Sequence, residues 1–164
     1  MPRKSSRPFR VGRAKTGLGL FATEDIRKGQ TICEYRGRRI TNEQAWEIEQ
    51  RSSNRYLFEL NSKWTIDGSS RSNLGRYINH ACKPNAYAVT RRATGKLEFV
   101  ASRWIKPDEE ITIDYGEEYF ELFLAKKGCK CMTCTRPTLR KRSAPAAGTK
   151  AGRTKTAKTK RSKK

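Results

Sequence analysis

The chain is 164 residues long and carries 37 Lys or Arg against 16 Asp or Glu, a formal charge of +21. That length suits one domain of ordinary size with a tail, and not two domains. No apolar run approaches the roughly 18 residues of a membrane span, and the opening Met1-Pro2-Arg3-Lys4-Ser5-Ser6-Arg7 lacks the apolar stretch of a signal peptide. Neither a membrane protein nor Sec-type secretion is expected. The charge is unevenly placed: residues 136–164 hold 12 Lys or Arg and no acid, whereas residues 11–135 hold 21 basic and 16 acidic residues.

Read in chain order, Phe9–Arg13, Leu18–Ala22 and Thr31–Arg36 predict strands, being rich in β-branched or aromatic residues and bounded by turn formers. A helix is predicted over Asn42–Arg51, with Thr41 as N-cap and Gln44 three residues on, the pattern of a capping box. Strands follow at Tyr56–Leu60, Trp64–Asp67, Ala86–Thr90, Leu97–Ala101 and Glu110–Asp114, with Ala93-Thr94-Gly95-Lys96 as a hairpin turn. A second short helix is predicted over Glu118–Lys126, where Tyr119, Leu122 and Phe123 share a face. Beyond residue 135 the apolar residues are alanines apart from Leu139, too few to offset chain entropy, so disorder is expected there. The fold class is therefore β-rich α+β: several small sheets, one or two short helices and a basic tail. A tail of that charge suits electrostatic attachment to nucleic acid, with salt-sensitive affinity from released counterions.

Four stretches carry chemistry. Thr16-Gly17-Leu18-Gly19-Leu20 places two glycines around one residue, letting backbone approach a ligand closely. It lacks the third glycine and following helix of a dinucleotide site. Arg76-Tyr77-Ile78-Asn79-His80-Ala81-Cys82-Lys83-Pro84-Asn85 gathers the only histidine, a cysteine and two asparagines in one turn-rich segment. Glu109-Glu110-Ile111-Thr112-Ile113-Asp114-Tyr115-Gly116 is a strand that ends in a tyrosine before a glycine. Gly128-Cys129-Lys130-Cys131-Met132-Thr133-Cys134 crowds three thiols into six residues, awkward for disulfides but suited to a metal. Three thiolates cannot complete a tetrahedral zinc site. The fourth ligand is sought among Cys82, Cys33 and His80; Cys82 lies in a polar loop, whereas Cys33 sits mid-strand between Ile32 and Glu34, where a small buried apolar residue is ordinary.

In this order the four stretches resemble the SET domain of protein-lysine methyltransferases, from about Phe9 to Cys134. The linking pieces Glu34-Tyr35-Arg36-Gly37, Tyr56-Leu57-Phe58-Glu59-Leu60 and Ile66-Asp67-Gly68 fit as well. The resemblance implies a SET domain over residues 9–116, a post-SET zinc segment over 117–135, a basic N-terminal extension over 1–8 and the tail over 136–164. It implies small sheets around a pseudoknot-like crossing of the two most specific motifs. It also implies methyl transfer from S-adenosylmethionine to a lysine in a protein, a histone or histone-like basic protein and possibly the chain itself. The cysteine of the Asn-His-x-Cys stretch, Cys82, is implied to complete a Zn2+ site with Cys129, Cys131 and Cys134. Two departures stand out: Ala81 where serine is usual, and C-x-C-x-x-C where the family usually has a longer final spacing.

Roles follow by position. Tyr115 matches the catalytic tyrosine, and Tyr35 and Tyr56 match the aromatic walls of a lysine channel, where ring faces can hold a cation. Gly17, Leu18 and Gly19 match backbone contacts to the cofactor; Asn79 and His80 match its holders, with Arg76 as a neighbour. Ile113 falls where the family places a Phe or Tyr that tunes how many methyl groups are added. Work on a chromatin-like substrate implies a nuclear site in a eukaryotic cell, or the cytoplasm or nucleoid in a bacterium. The competing class is a non-catalytic, zinc-stapled SET-like module that binds nucleic acid or chromatin; the presence of Tyr115 and Asn79-His80 favours the enzyme.

Overall fold

A computed structural model of the chain describes residues 7–52, 56–125 and 128–135. Strands β1 (Phe9–Ala14), β2 (Gly17–Ala22), β3 (Thr31–Glu34) and β4 (Arg38–Thr41) precede helix α1 (Asn42–Arg51). After it come β5 (Leu57–Glu59), β6 (Trp64–Asp67), a 3-10 turn (Leu74–Tyr77), β7 (Asn79–His80), β8 (Ala86–Arg91), β9 (Lys96–Ala101) and β10 (Glu110–Ile113). Helix α2 (Glu117–Tyr119) runs into a π-helical turn over Phe120–Ala125, and α3 (Met132–Thr135) closes the described chain. The strands form three small sheets, ordered β1-β2-β10-β7, β3-β9-β8 and β4-β6-β5.

Alternation builds the first sheet: Leu20 and Ala22 are fully buried with Phe9, opposite Ala22, while Arg10 on the other face of β1 is exposed. Strand β10 lays Ile111 against Leu20 from the other side, antiparallel, and then runs parallel to β7 with Thr112 opposite Asn79 and Ile113 opposite His80. One strand thus joins the glycine-rich segment to the Asn-His segment. The core beneath is continuous, with Ile26, Phe99, Ile105 and Ile111 all 1 % exposed or less. Cys33 packs against it, and burial pushes its thiol up to about 12, opposed by nearby Arg36, so it is an inert core residue.

The capping box is present at Thr41 and Gln44. The hairpin turn forms with Gly95 at φ +64°, its N–H donating to the Arg91 carbonyl. Several expectations shift. Strand β3 stops at Glu34, so Tyr35 and Arg36 leave it, and the strands expected to reach Leu60 and Asp114 end at Glu59 and Ile113. Nothing in the sequence marks strands β4 and β7: Arg38-Arg39 shows no alternation, and two polar residues carry no strand signal. Both exist because a partner offers a ladder. In place of one α-helix over Glu118–Lys126, three α-helical residues pass into a π turn, whose wider period breaks the i, i+3, i+4 face. The side chains of Leu122 and Phe123, residue Lys126, the first six residues and the tail lie outside the described residues.

The crossing is braced by Asn85, which is 2 % exposed. Its amide donates to the Glu110 carbonyl at 2.8 Å and to Glu109 Oε1 at 3.1 Å, and its oxygen accepts from the Thr112 N–H at 2.9 Å. Burial opposes the charge on Glu109, but Arg103, the Lys106 N–H and the Asn85 amide outweigh it and hold the carboxyl below its ordinary range. Asn85→Ala leaves buried donors and acceptors unpaired and is expected to lower stability by about 2–3 kcal/mol. The urea midpoint measures this; an unchanged midpoint would remove Asn85 from the brace.

Candidate active site

The parallel pairing of β7 and β10 brings the two distant motifs together. Tyr115, two residues past β10, donates its hydroxyl to the Ile78 carbonyl at 2.8 Å, beside Asn79. Its ring lies edge-on to Tyr119 at 4.8 Å and tilted against His80 at 5.5 Å. Burial, reinforced by neighbouring Tyr119, Tyr35, Tyr56 and Glu110, pushes the phenol well above its ordinary value. Tyr115 is therefore a neutral group near neutral pH, unsuited to act as a base.

A cavity of about 680 Å³ opens in front of it, lined by Tyr35, Tyr56, Phe58, Ile113 and Tyr115. Tyr35 donates its hydroxyl to the Tyr56 carbonyl at 2.7 Å and packs edge-on against Phe99, so it presents a ring rather than a free hydroxyl. Gly68 makes that contact possible, because a Cβ there would overlap the Tyr35 hydroxyl. Ile113 is 4 % exposed on the same wall, and its carbonyl accepts the Ala81 N–H at 2.9 Å. The alanine in place of serine thus leaves this turn hydrogen-bonded.

A second cavity of about 410 Å³ is lined by Thr16, Asn79, His80, Glu110, Cys131 and Met132, and shares Thr16 and Asn79 with the first. The Asn79 amide donates both to the Leu18 carbonyl at 3.1 Å and to Glu110 Oε1 at 2.8 Å. It therefore ties the glycine-rich segment to β10. A Cβ on Gly19 would come within 2.8 Å of Glu110 Oε1 and 3.2 Å of the Asn79 amide nitrogen, so only glycine fits this approach. Arg76 reaches the first cavity: its guanidinium stacks 3.9 Å from the Tyr56 ring centroid and donates to the Ser69 carbonyl, while its buried Nε has no partner among the described residues.

The sulfurs of Cys82, Cys129, Cys131 and Cys134 all lie within 4.8 Å of one another, and the thiols are free. Cys82 Sγ is 3.8 Å from Cys129 Sγ and 3.4 Å from Cys134 Sγ. A tetrahedral Zn–S₄ site with bonds near 2.3 Å has edges of about 3.8 Å, so four thiolates here fit zinc and leave Cys33 out. His80 is not a fourth ligand; it is a spacer. Its Nδ1 accepts the Tyr115 N–H at 3.3 Å, which places the proton on Nε2, 3.4 Å from Cys82 Sγ. Desolvation lowers its pKa against the pull of Asp114, keeping the ring neutral. The sequence singled out His80 but showed nothing of this link between the thiol cluster and the tyrosine.

Residues 17–116 match the SET domain family. The chain belongs to it. The chain is 35 % identical over 133 residues to the putative histone-lysine N-methyltransferase ASHH4 of Arabidopsis thaliana, covering 76 % of this chain and 37 % of that protein. It is 37 % identical over 121 residues to human histone-lysine N-methyltransferase 2D, covering 70 % of this chain and 2 % of that protein. The chain thus spans well under half the length of these relatives. Among solved structures it is similar to a chain of the Chaetomium thermophilum polycomb repressive complex 2, with TM-score 0.62 and 31 % identity over 70 % of this chain and 16 % of that one. A related structure of that complex, bound to S-adenosylmethionine, matches the SET domain with TM-score 0.58, 31 % identity and the same shares of each chain.

The metal reading is checked by zinc content. The chain is expected to hold about one zinc, and Cys82→Ser to bind it far more weakly while the isolated core strands stay folded. Equal zinc retention in Cys82→Ser would exclude Cys82 as a ligand.

Proposed function

We propose that this chain is a protein-lysine methyltransferase that uses S-adenosylmethionine to methylate a histone or histone-like basic protein. One observation carries the reading: the Tyr115 hydroxyl, anchored on the Ile78 carbonyl beside Asn79, faces a cavity walled by Tyr35, Tyr56 and Ile113. The relatives named as histone-lysine methyltransferases support the substrate class, and the SAM-bound neighbour supports the cofactor. Work on such a substrate places the protein at chromatin, or at a nucleoid. Among the described residues no helix is long and apolar enough to cross a membrane.

When bound, the cofactor supplies an electrophilic methyl on a sulfonium. Gly17, Leu18 and Gly19 would lie against it through backbone, with Asn79 and His80 beside them and Arg76 as a neighbour. Four thiolates, Cys82, Cys129, Cys131 and Cys134, would hold a structural Zn2+ and pin the segment that lines the second cavity. Free lysine has a pKa of about 10.4, and only its neutral amine is a nucleophile. Desolvation between the walls of Tyr35, Tyr56 and Phe58 disfavours the ammonium, against the pull of their ring faces on a cation, and the walls align the side chain. The Tyr115 proton is held by Ile78, so its oxygen is left to accept a hydrogen bond from the amine and orient it.

Purified protein is expected to transfer label from methyl-labelled S-adenosylmethionine to lysines of histone or lysate proteins, and Tyr115→Phe to reduce the rate at least about 100-fold. Label transfer that survives Tyr115→Phe undiminished would remove the tyrosine from the chemistry; no transfer at all would leave a binding module. Ile113 has no hydroxyl with which to hold a crowding water, so mass spectrometry of product peptides is expected to show di- or trimethyl-lysine, and Ile113→Tyr to shift products toward monomethyl. Monomethyl-lysine alone at long times would end that part of the reading.

The tail, residues 136–164, is proposed to dock the enzyme on nucleic acid. Its deletion is expected to weaken DNA or RNA binding and flatten the salt dependence. Unchanged binding would discard the role.

A further inference from the structure

The tip of the β8–β9 hairpin meets the edge strand β4, and both carry cations. Arg91 and Lys96 stand opposite each other where the hairpin opens, with the exposed Arg92 in the turn between them. Arg39 of β4 donates to the Gly95 carbonyl in that turn at 2.9 Å, which joins the two sheets. Arg36, between β3 and β4, reaches the same place: Glu34 accepts from its Nε at 3.2 Å and lies 3.5 Å from the Lys96 amine. Glu98 likewise holds the Arg91 Nε at 2.8 Å. Five bases thus converge on two carboxylates. The carboxylates lie low: the side chains of Glu34 and Glu98 are 25 % and 22 % exposed, against 74 % for Arg36, 52 % for Lys96 and 46 % for Arg91. Solvent meets the cations first. A guanidinium has more N–H donors than the one or two that Arg36, Arg39 and Arg91 use here.

We propose that this face of the folded domain seats the phosphate backbone of duplex DNA, as a second contact beside that of the tail. A cavity of about 220 Å³ opens between the strands, with Arg36, Arg39 and Lys96 in its wall and Glu34 as the one carboxylate there among the described residues. Its single ring, Tyr35, is buried, so the cavity offers no stacking face to an unpaired base. Fixed guanidiniums beside a lysine suit phosphate oxygens, and such contacts set orientation without reading sequence. Because the charges stand on a hairpin and an edge strand joined by Arg39, they fix the direction from which DNA is met. None of the five bases lines the two cavities of the candidate site. The choice of DNA rests on the chromatin reading above, since a histone-like substrate lies on DNA; the charged surface itself does not.

The test acetylates the lysines of the full chain with and without a short DNA duplex and reads each lysine by mass spectrometry. Lys96 is expected to be protected several-fold. Lys28 is the control: the next residue, Gly29, donates its N–H to the Ala101 carbonyl, at the far end of β9 about 17 Å from Lys96. It is expected to stay reactive. In the same full chain, Arg36→Gln combined with Arg92→Gln removes two phosphate partners. The slope of log affinity against log salt is then expected to fall by about two, since each contact contributes about 0.9. Lys28→Gln is expected to leave the slope unchanged. Protection confined to the tail lysines overturns the proposal, as does a slope that the double variant leaves unmoved. Protection of Lys96 by duplex RNA and not by DNA overturns it too. Should the double variant fail to fold by circular dichroism, the wild-type footprint decides alone. Methyl transfer by a chain whose Lys96 stays unprotected would remove this surface and keep the methyltransferase; protection of Lys96 in a chain that transfers no methyl group would do the reverse.

Discussion

Two residue pairs of parallel ladder, Thr112 with Asn79 and Ile113 with His80, decide where every functional group in this molecule sits. A ladder that short has little strength of its own. Its position is enforced from outside: the Asn85 amide holds one edge of β10 at Glu110 and Thr112, the Asn79 amide reaches Leu18 and Glu110, and Ala81 donates to Ile113. Polar side chains with buried, satisfied amides do here what hydrophobic alternation does in a longer sheet. The consequence is that the phenol of Tyr115, the wall formed by Ile113 and the turn bearing His80 are mutually placed by one crossing.

The thiol cluster extends the same logic to the end of the described chain. Cys82 is two residues past β7, so any ion held by the four sulfurs ties the C-terminal segment to the crossing itself. His80 passes that constraint inward, with one ring nitrogen toward Cys82 and the other on the Tyr115 backbone. A single neutral imidazole thus links the thiol cluster to the backbone of Tyr115. The second cavity is lined by Cys131 and Met132 as well as by Asn79, so the segment that bears the thiols supplies part of its wall.

Most of the strands were legible because their residues alternate or are β-branched: Leu18–Ala22, Trp64–Asp67 and Leu97–Ala101 need no partner to be recognised. Strands β4 and β7 were not, since their extended form is imposed by a neighbour and leaves no mark in Arg38-Arg39 or Asn79-His80. The turn at Phe120–Ala125 misled for a related reason, because a π bulge keeps helical composition while changing its period. At the site, the clustering of the four thiols could be read from spacing plus the polar setting of Cys82. The convergence of Tyr35, Tyr56 and Tyr115 could not be; they are separated by up to 80 residues and meet only through the fold, so resemblance to a family supplied them. The stacking of Arg76 on Tyr56 and the bracing by Asn85 had no signal at all, being properties of side-chain direction rather than of order along the chain.

The anchoring of the Tyr115 hydroxyl on the Ile78 carbonyl has one more implication. With its proton held by the backbone, the phenolic oxygen is an acceptor only, and it grips whatever offers an N–H. An amine that gains carbon substituents loses hydrogens one by one, and a fully alkylated nitrogen has none left to give. A substrate that dwells in this channel would therefore outgrow its own handhold, and turnover would end with departure already arranged by the hydroxyl's orientation.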